Sequence, residues 1–448
     1  MNDLAELIDE RPIGGYQILT FMLCGSAAIL DGMDSQSIGI AATSIAASLN
    51  ISMKSFAPIF SAALLGAAIG ALVVGSLADL LGRKRALIGA VLIFGLFTLL
   101  TPHATTYNQL LVVRFLAGIG LGGATPCFLA LVSEYAPSRQ RQTLVSVLWA
   151  GYAVGSMVGG LLNSYVIAHF QWRVIFYLGG LVPVVLVFVM AFALPESLKY
   201  LVARGDAQAR IRGIVQRLWP DTVGLPDEYT GSKQKLDGIS VVQLFSNGRA
   251  IPTLLLWVPF FMAFGTLAVV SLWTPPLLRQ NGIQPSDAAL TIAAHGLGAI
   301  IGLASSGALI ARFGLLRTLV PALVCGAAST LAIGLSGSSV FLAAFAMGSV
   351  GLFVGLGTSG AVVIATTAYP TAIRATGIGW AMGIGRFGQF VGPLWVGSML
   401  AGELTIPVIY QWLAGAPLIA AVFIAILHFD QKRRGQRAND RPLADVST

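Results

Sequence analysis

Long apolar runs alternate with short polar breaks, and twelve apolar segments can be marked along the chain. They cover about 17–48, 56–78, 86–102, 107–134, 142–168 and 173–194, then 251–275, 287–311, 316–336, 339–366, 372–399 and 405–428. A helix needs roughly 20 apolar residues to cross a hydrocarbon core, so the pattern predicts an all-α membrane protein of twelve transmembrane helices. One sizeable polar stretch, 195–250, separates a six-helix bundle over 1–194 from another over 251–430, and a tail follows over 431–448. Within the divide, 207–219 has helical spacing and carries Arg210, Arg212 and Arg217, which predicts a helix lying on the membrane surface.

Charge orients the bundle. Of the 27 Lys and Arg residues, twenty-two fall on the side of the two termini, while Lys54, Arg173 and Arg279 lie opposite and Arg114 and Arg386 lie within spans. The positive-inside rule predicts that both termini are cytoplasmic. The net charge of +8 is therefore topological and does not indicate nucleic-acid binding. Composition agrees with a membrane protein: 56% hydrophobic, 10% charged and a mean hydropathy of +0.81, where a soluble domain carries about a quarter charged residues. Cys24, Cys127 and Cys325 lie in apolar runs and read as buried, inert thiols. No nucleotide-binding loop, metal-ligand spacing or nucleophile motif stands out, so neither an enzyme nor a cofactor is expected.

The halves echo each other. Gly75–Arg85 after the second segment is matched by Gly307–Arg317 after the eighth, 232 residues on, and Pro137 and Arg141 by Pro370 and Arg374. Parallel repeats are a transporter architecture, with the substrate site at mid-membrane between them.

A few polar side chains stand where lipid cannot accept them. Asp31 lies about 22 Å into the first helix, and Asp34 follows three residues later. A carboxylate at that depth costs about 2.5–3.5 kcal/mol, so two within one turn predict a polar cavity and a proton-accepting role. Arg114, about 10 Å in from the opposite side, reaches nearly the same level and is the expected counter-charge to Asp31 or Asp34. Arg386, near the middle of the eleventh helix, can grip a carboxylate in a bidentate fork and is the candidate substrate anchor. His295 can relay a proton or bond a phenolic hydroxyl, or make an interhelical hydrogen bond. Phe260 and Phe261 can stack on an aromatic ring, though such spacing also serves packing.

Taken together, Gly75–Arg85, its weaker copy with Ala311 in place of Asp79, and Arg114–Gly120 resemble the major facilitator superfamily over essentially the whole chain. Asp31-Gly32-Met33-Asp34, Ile38-Gly39, Glu134–Pro137, Pro195-Glu196-Ser197 and the surroundings of Arg386 are similar to its aromatic acid:proton symporter family. Met33 departs from the aromatic residue usual at its position. The resemblance implies a twelve-helix major facilitator fold in a bacterial inner membrane. It also implies import of benzoate, a hydroxybenzoate, protocatechuate, gentisate or a phenylpropionate with protons, by a monomer. It places Gly75, Asp79, Gly82, Arg83, Glu134 and Arg141 in a cytoplasmic gate. The alternatives are a proton antiporter exporting drugs or metabolites, a sugar porter, or a sensor that binds aromatic acids without flux. Ser156 stands where antiporters of the superfamily usually carry proline, which disfavours the first.

Overall fold

The structure, a computed structural model, describes residues 2–204, 208–219, 229–230, 241–246, 249–369 and 373–439. Twelve long helices carry it. In the first half they are α1 Gly15–Leu49, α2 Phe56–Leu81, α3 Arg83–Leu100, α4 Tyr107–Tyr135, α5 Ser138–His169 and α6 Arg173–Ala193. The second half contains α7 Ala250–Gln280, α8 Pro285–Phe313, α9 Leu315–Gly334, α10 Val340–Ala368, α11 Arg374–Ala401 and α12 Ile406–Asn439. Eleven of these are apolar enough by composition to span a membrane, among the described residues. The other, α11, is rich in glycine and carries Arg386, which lowers its hydropathy. Its 28 residues still reach about 42 Å, enough to cross.

The repeat predicted from the motifs is visible in the packing. Gly66 and Gly70 of α2 lie against backbone of α4, and Gly118 and Gly122 return the contact. In the second half Gly298 and Gly302 of α8 meet α10 in the same manner, with Gly351 reciprocating. A methyl at these positions would strike main-chain atoms, so small residues set the helix spacing. Gly82 joins α2 to α3 at φ +100°, and Gly314 joins α8 to α9 at φ +83°, a backbone region that favours glycine. Pro370 of the second repeat lies outside the described residues.

The predicted surface helix is present as Gln208–Leu218, with Ala207 outside the described residues. Its placement corrects the expectation. Ile211, Val215 and Leu218 are buried in the core of the first bundle, so the apolar stripe faces protein. Amphipathic spacing is the same in both cases. Cys24 and Cys127 are buried as expected, while Cys325 is exposed. A short helix, Leu4–Glu10, precedes α1, and α12 continues past residue 430 into the expected tail. A two-residue parallel pairing links Asn2–Asp3 to Tyr229–Thr230.

The halves meet on the side away from the termini. There Gly39 of α1 abuts Leu272 of α7, Gly160 of α5 abuts Ala293 of α8, and Phe60 of α2 meets Trp273 of α7 edge-on. Arg279 of α7 reaches Thr43 and Ser44 of α1, and Ser61 donates to the Phe390 carbonyl across the divide at 2.9 Å. Ser164 bonds the Ser286 carbonyl, and Lys54 pairs with Glu403 at 4.0 Å. These contacts between the halves all lie on the side of Asp31 away from the termini. The cleft between the bundles is thus closed away from the termini.

Candidate functional site

Helix α1 is aimed by its glycines. Gly32 packs on the Tyr152 carbonyl and Ser156 backbone of α5, and Gly39 on Leu272 of α7. Successive helical residues are turned by about 100°, so Asp34 lies on the side of α1 away from Gly32, with Asp31 about 60° from it around the helix. The two carboxylates therefore occupy different environments.

Asp34 is sealed. Its Oδ2 accepts a hydrogen bond from Arg114 Nη2 of α4 at 3.1 Å, and both side chains are 1% exposed. Thr98 of α3 donates to Oδ1 at 3.1 Å, and the Arg114 guanidinium lies 5.8 Å from the Phe176 ring of α6. Four helices thus converge on one ion pair. Arg114 Nε and Nη1 are buried without a partner, so the pair is incompletely satisfied.

Asp31 is half-buried near the midpoint of α1, and Ser35 donates to its Oδ1 at 3.2 Å. Arg386 of α11 and Asp34 both act electrostatically on it. Tyr152, midway along α5, is 36% exposed and lies near enough to Asp31, Asp34 and Arg386 to share their field. Arg386 is itself half-buried, and no carboxylate of the described residues lies within 4.0 Å of it. Its guanidinium has charge to share. Farther along α1, Gln36 is 3% exposed with Oε1 lacking a partner, and Ser156 Oγ and Trp273 Nε1 are likewise buried and unpartnered.

The other candidates are engaged elsewhere. His295 is buried with Nδ1 3.3 Å from the Met347 carbonyl, an interhelical contact of α8 with α10. Phe260 is wholly buried and stacks on Phe264, with centroids 5.8 Å apart. Phe261 lies beside Phe387 and lines an apolar groove of α7, α11 and α12.

The residues expected to form a gate gather at the terminal-side end of the first bundle. Arg83 pairs with Glu134 at the end of α4 and lies 3.8 Å from Asp79. A Cβ on Gly82 would sit 2.5 Å from the Glu196 carboxylate, so glycine is required there by space as well as by φ. Glu196 accepts the backbone N–H groups of Lys84 and Ser197, each at 2.9 Å, and Tyr135 donates to its carbonyl at 2.6 Å. Ser197 donates to Glu134, closing a ring of bonds among α2, α3, α4 and the chain after α6. Gly75 lies 3.5 Å from Pro126 by its would-be Cβ, and Arg141 donates to the Ala136 carbonyl at 3.4 Å. The Asp79 side chain is 73% exposed.

Sequence reasoning missed Thr98, Phe176, Tyr152 and Gln36. Only the apolar burial of Gln36 within a predicted span offered a signal.

The profile described as Major Facilitator Superfamily matches residues 24–283 and 256–447. The chain is 34% identical over 406 residues to a 4-hydroxybenzoate transporter, PcaK, of Pseudomonas aeruginosa, covering 89% of this chain and 90% of that one. It is 36% identical to a 3-(3-hydroxy-phenyl)propionate transporter of Escherichia coli, covering 96% and 97%. A gallate transporter of Pseudomonas putida is 32% identical, with 98% of each chain covered. Among solved structures, a partially occluded inward open xylose transporter of Escherichia coli superposes with a TM-score of 0.71 at 17% identity, covering 91% of this chain and 97% of that one.

Proposed function

The chain belongs to the Major Facilitator Superfamily, and on that premise we propose that it imports an aromatic carboxylate with at least one proton by alternating access. The observation that carries this reading is the half-buried guanidinium of Arg386, which has no carboxylate of the described residues within 4.0 Å and lies near enough to Asp31 to act on its charge. An organic anion seated there gains a charge-assisted, bidentate contact. Relatives named for 4-hydroxybenzoate, gallate and hydroxyphenylpropionate support an aromatic acid as cargo.

The terminal side is assigned to the cytoplasm of a bacterial inner membrane, because it holds the basic loops. The closed side is then external, and the state described faces inward. Asp31 and Asp34 take up the coupled proton in turn, and Arg114 withdraws from or returns to Asp34 as the proton comes and goes. The carboxylate of the cargo lies at Arg386. Gln36, about 7.5 Å farther out along α1, supplies an acceptor for a ring hydroxyl. The Asp79–Arg83–Glu134 group holds the inner ends of α2 and α4 together as one rigid unit during the switch. The inside-negative potential contributes about 2.3 kcal/mol per 100 mV for each net positive charge carried inward.

Counterflow tests the cargo. Proteoliposomes preloaded with unlabelled 4-hydroxybenzoate are expected to exchange it for label, with Arg386→Ala abolishing exchange and aliphatic acids failing to compete. Exchange that survives Arg386→Ala, or is matched by an aliphatic acid, contradicts the reading. Binding without exchange would indicate a sensor.

A further inference from the structure

We propose that the first bundle carries an anionic-phospholipid headgroup site at its terminal-side membrane boundary. A cavity of about 440 Å³ opens there between the start of α3, the end of α6 and the helix Gln208–Leu218. Four cations line it, Lys84, Arg85, Arg210 and Arg217, against the single carboxylate of Glu196. That carboxylate is already committed to the backbone N–H groups of Lys84 and Ser197. Among the described lining residues positive charge outnumbers negative, and Arg210 and Arg217 both repel Lys84. A half-open cavity of this sign is suited to an anion, and a phosphodiester presents several acceptor oxygens to such a group.

Position selects the source of the phosphate. The start of α1 at Tyr16, the start of α3 and the end of α6 share the rim, which places the cavity where the bundle meets the membrane surface. Phe192 on the same rim is 85% exposed, and a phenyl ring this open at the end of a spanning helix offers an apolar face to acyl chains. A headgroup in the cavity with its tails over Phe192 satisfies both halves of the surface at once. Free phosphate would leave Phe192 uncovered. The lipid would also tie the Gln208–Leu218 helix to α3, supplementing its buried Ile211 and Val215 with a charge bridge.

The test uses full-length protein in phosphatidylcholine nanodiscs containing a minor fraction of phosphatidylglycerol, with retained lipid counted by native mass spectrometry after mild extraction. The wild type is expected to retain one phosphatidylglycerol. Arg210→Gln with Arg217→Gln should lower that occupancy by on the order of tenfold, and Arg210→Lys with Arg217→Lys should restore it. Arg312→Gln with Arg317→Gln, on the repeat-related loop, should leave retention unchanged. Equal retention in all variants, or equal loss in both glutamine pairs, overturns the proposal. So does stabilisation by inorganic phosphate as strong as that by phosphatidylglycerol, which would assign a soluble anion instead. Unchanged melting of the glutamine pair in lipid-free detergent shows that the loss reflects the site and not unfolding.

Discussion

Replacing Arg114 by methionine removes one partner from a pair whose members are each 1% exposed and 3.1 Å apart. Breaking such a pair costs about 3–5 kcal/mol, since the remaining carboxylate is left uncompensated in an apolar interior. The Thr98 bond to Asp34 contributes about 1 kcal/mol and does not offset this. At about 1.4 kcal/mol per factor of ten, that cost corresponds to at least a hundredfold in any step that leaves Asp34 charged. Proton-driven accumulation in proteoliposomes should fall by that order, while counterflow, which requires no release, should persist. Asp34→Leu combined with Arg114→Met removes both charges, so it should regain the stability lost by the single variant yet remain uncoupled. Uphill accumulation by Arg114→Met within a few-fold of wild type would refute the reasoning.

Arg386→Lys keeps the charge but loses the fork, so KM for the aromatic acid should rise about 10–100-fold in initial-rate uptake, with kcat much less affected. Gln36→Leu should weaken transport of 4-hydroxybenzoate several-fold and leave benzoate unchanged in a competition panel, since only the former presents a hydroxyl to Oε1. Arg279→Leu removes the guanidinium that holds Thr43 and Ser44 from across the divide. In a cysteine-free background it should increase labelling of Ser37→Cys by an impermeant thiol reagent added outside, because the external closure is weakened.

The twelve helices, the internal repeat and the two-bundle division were legible because apolar run length and loop charge obey the bilayer's constraints directly. The level of Arg114 relative to the aspartates was also legible, from helix rise alone. Which aspartate it pairs with was not: three residues along a helix differ by only about 60° in direction, and the rotation of α1 is set by Gly32 on α5 and Gly39 on α7. Thr98 and Phe176 come from α3 and α6, brought in by packing that no local pattern announces. The Gln208–Leu218 helix shows the same limit, since an amphipathic stripe reports a covered face without saying what covers it.

Reconstitution of the purified protein with an imposed inward proton gradient tests the central claim most directly, by following labelled 4-hydroxybenzoate and internal pH together. The account predicts uphill uptake accompanied by internal acidification, both abolished by a protonophore and by Asp34→Asn. Uptake that only equilibrates, with no proton movement and no protonophore sensitivity, would contradict it.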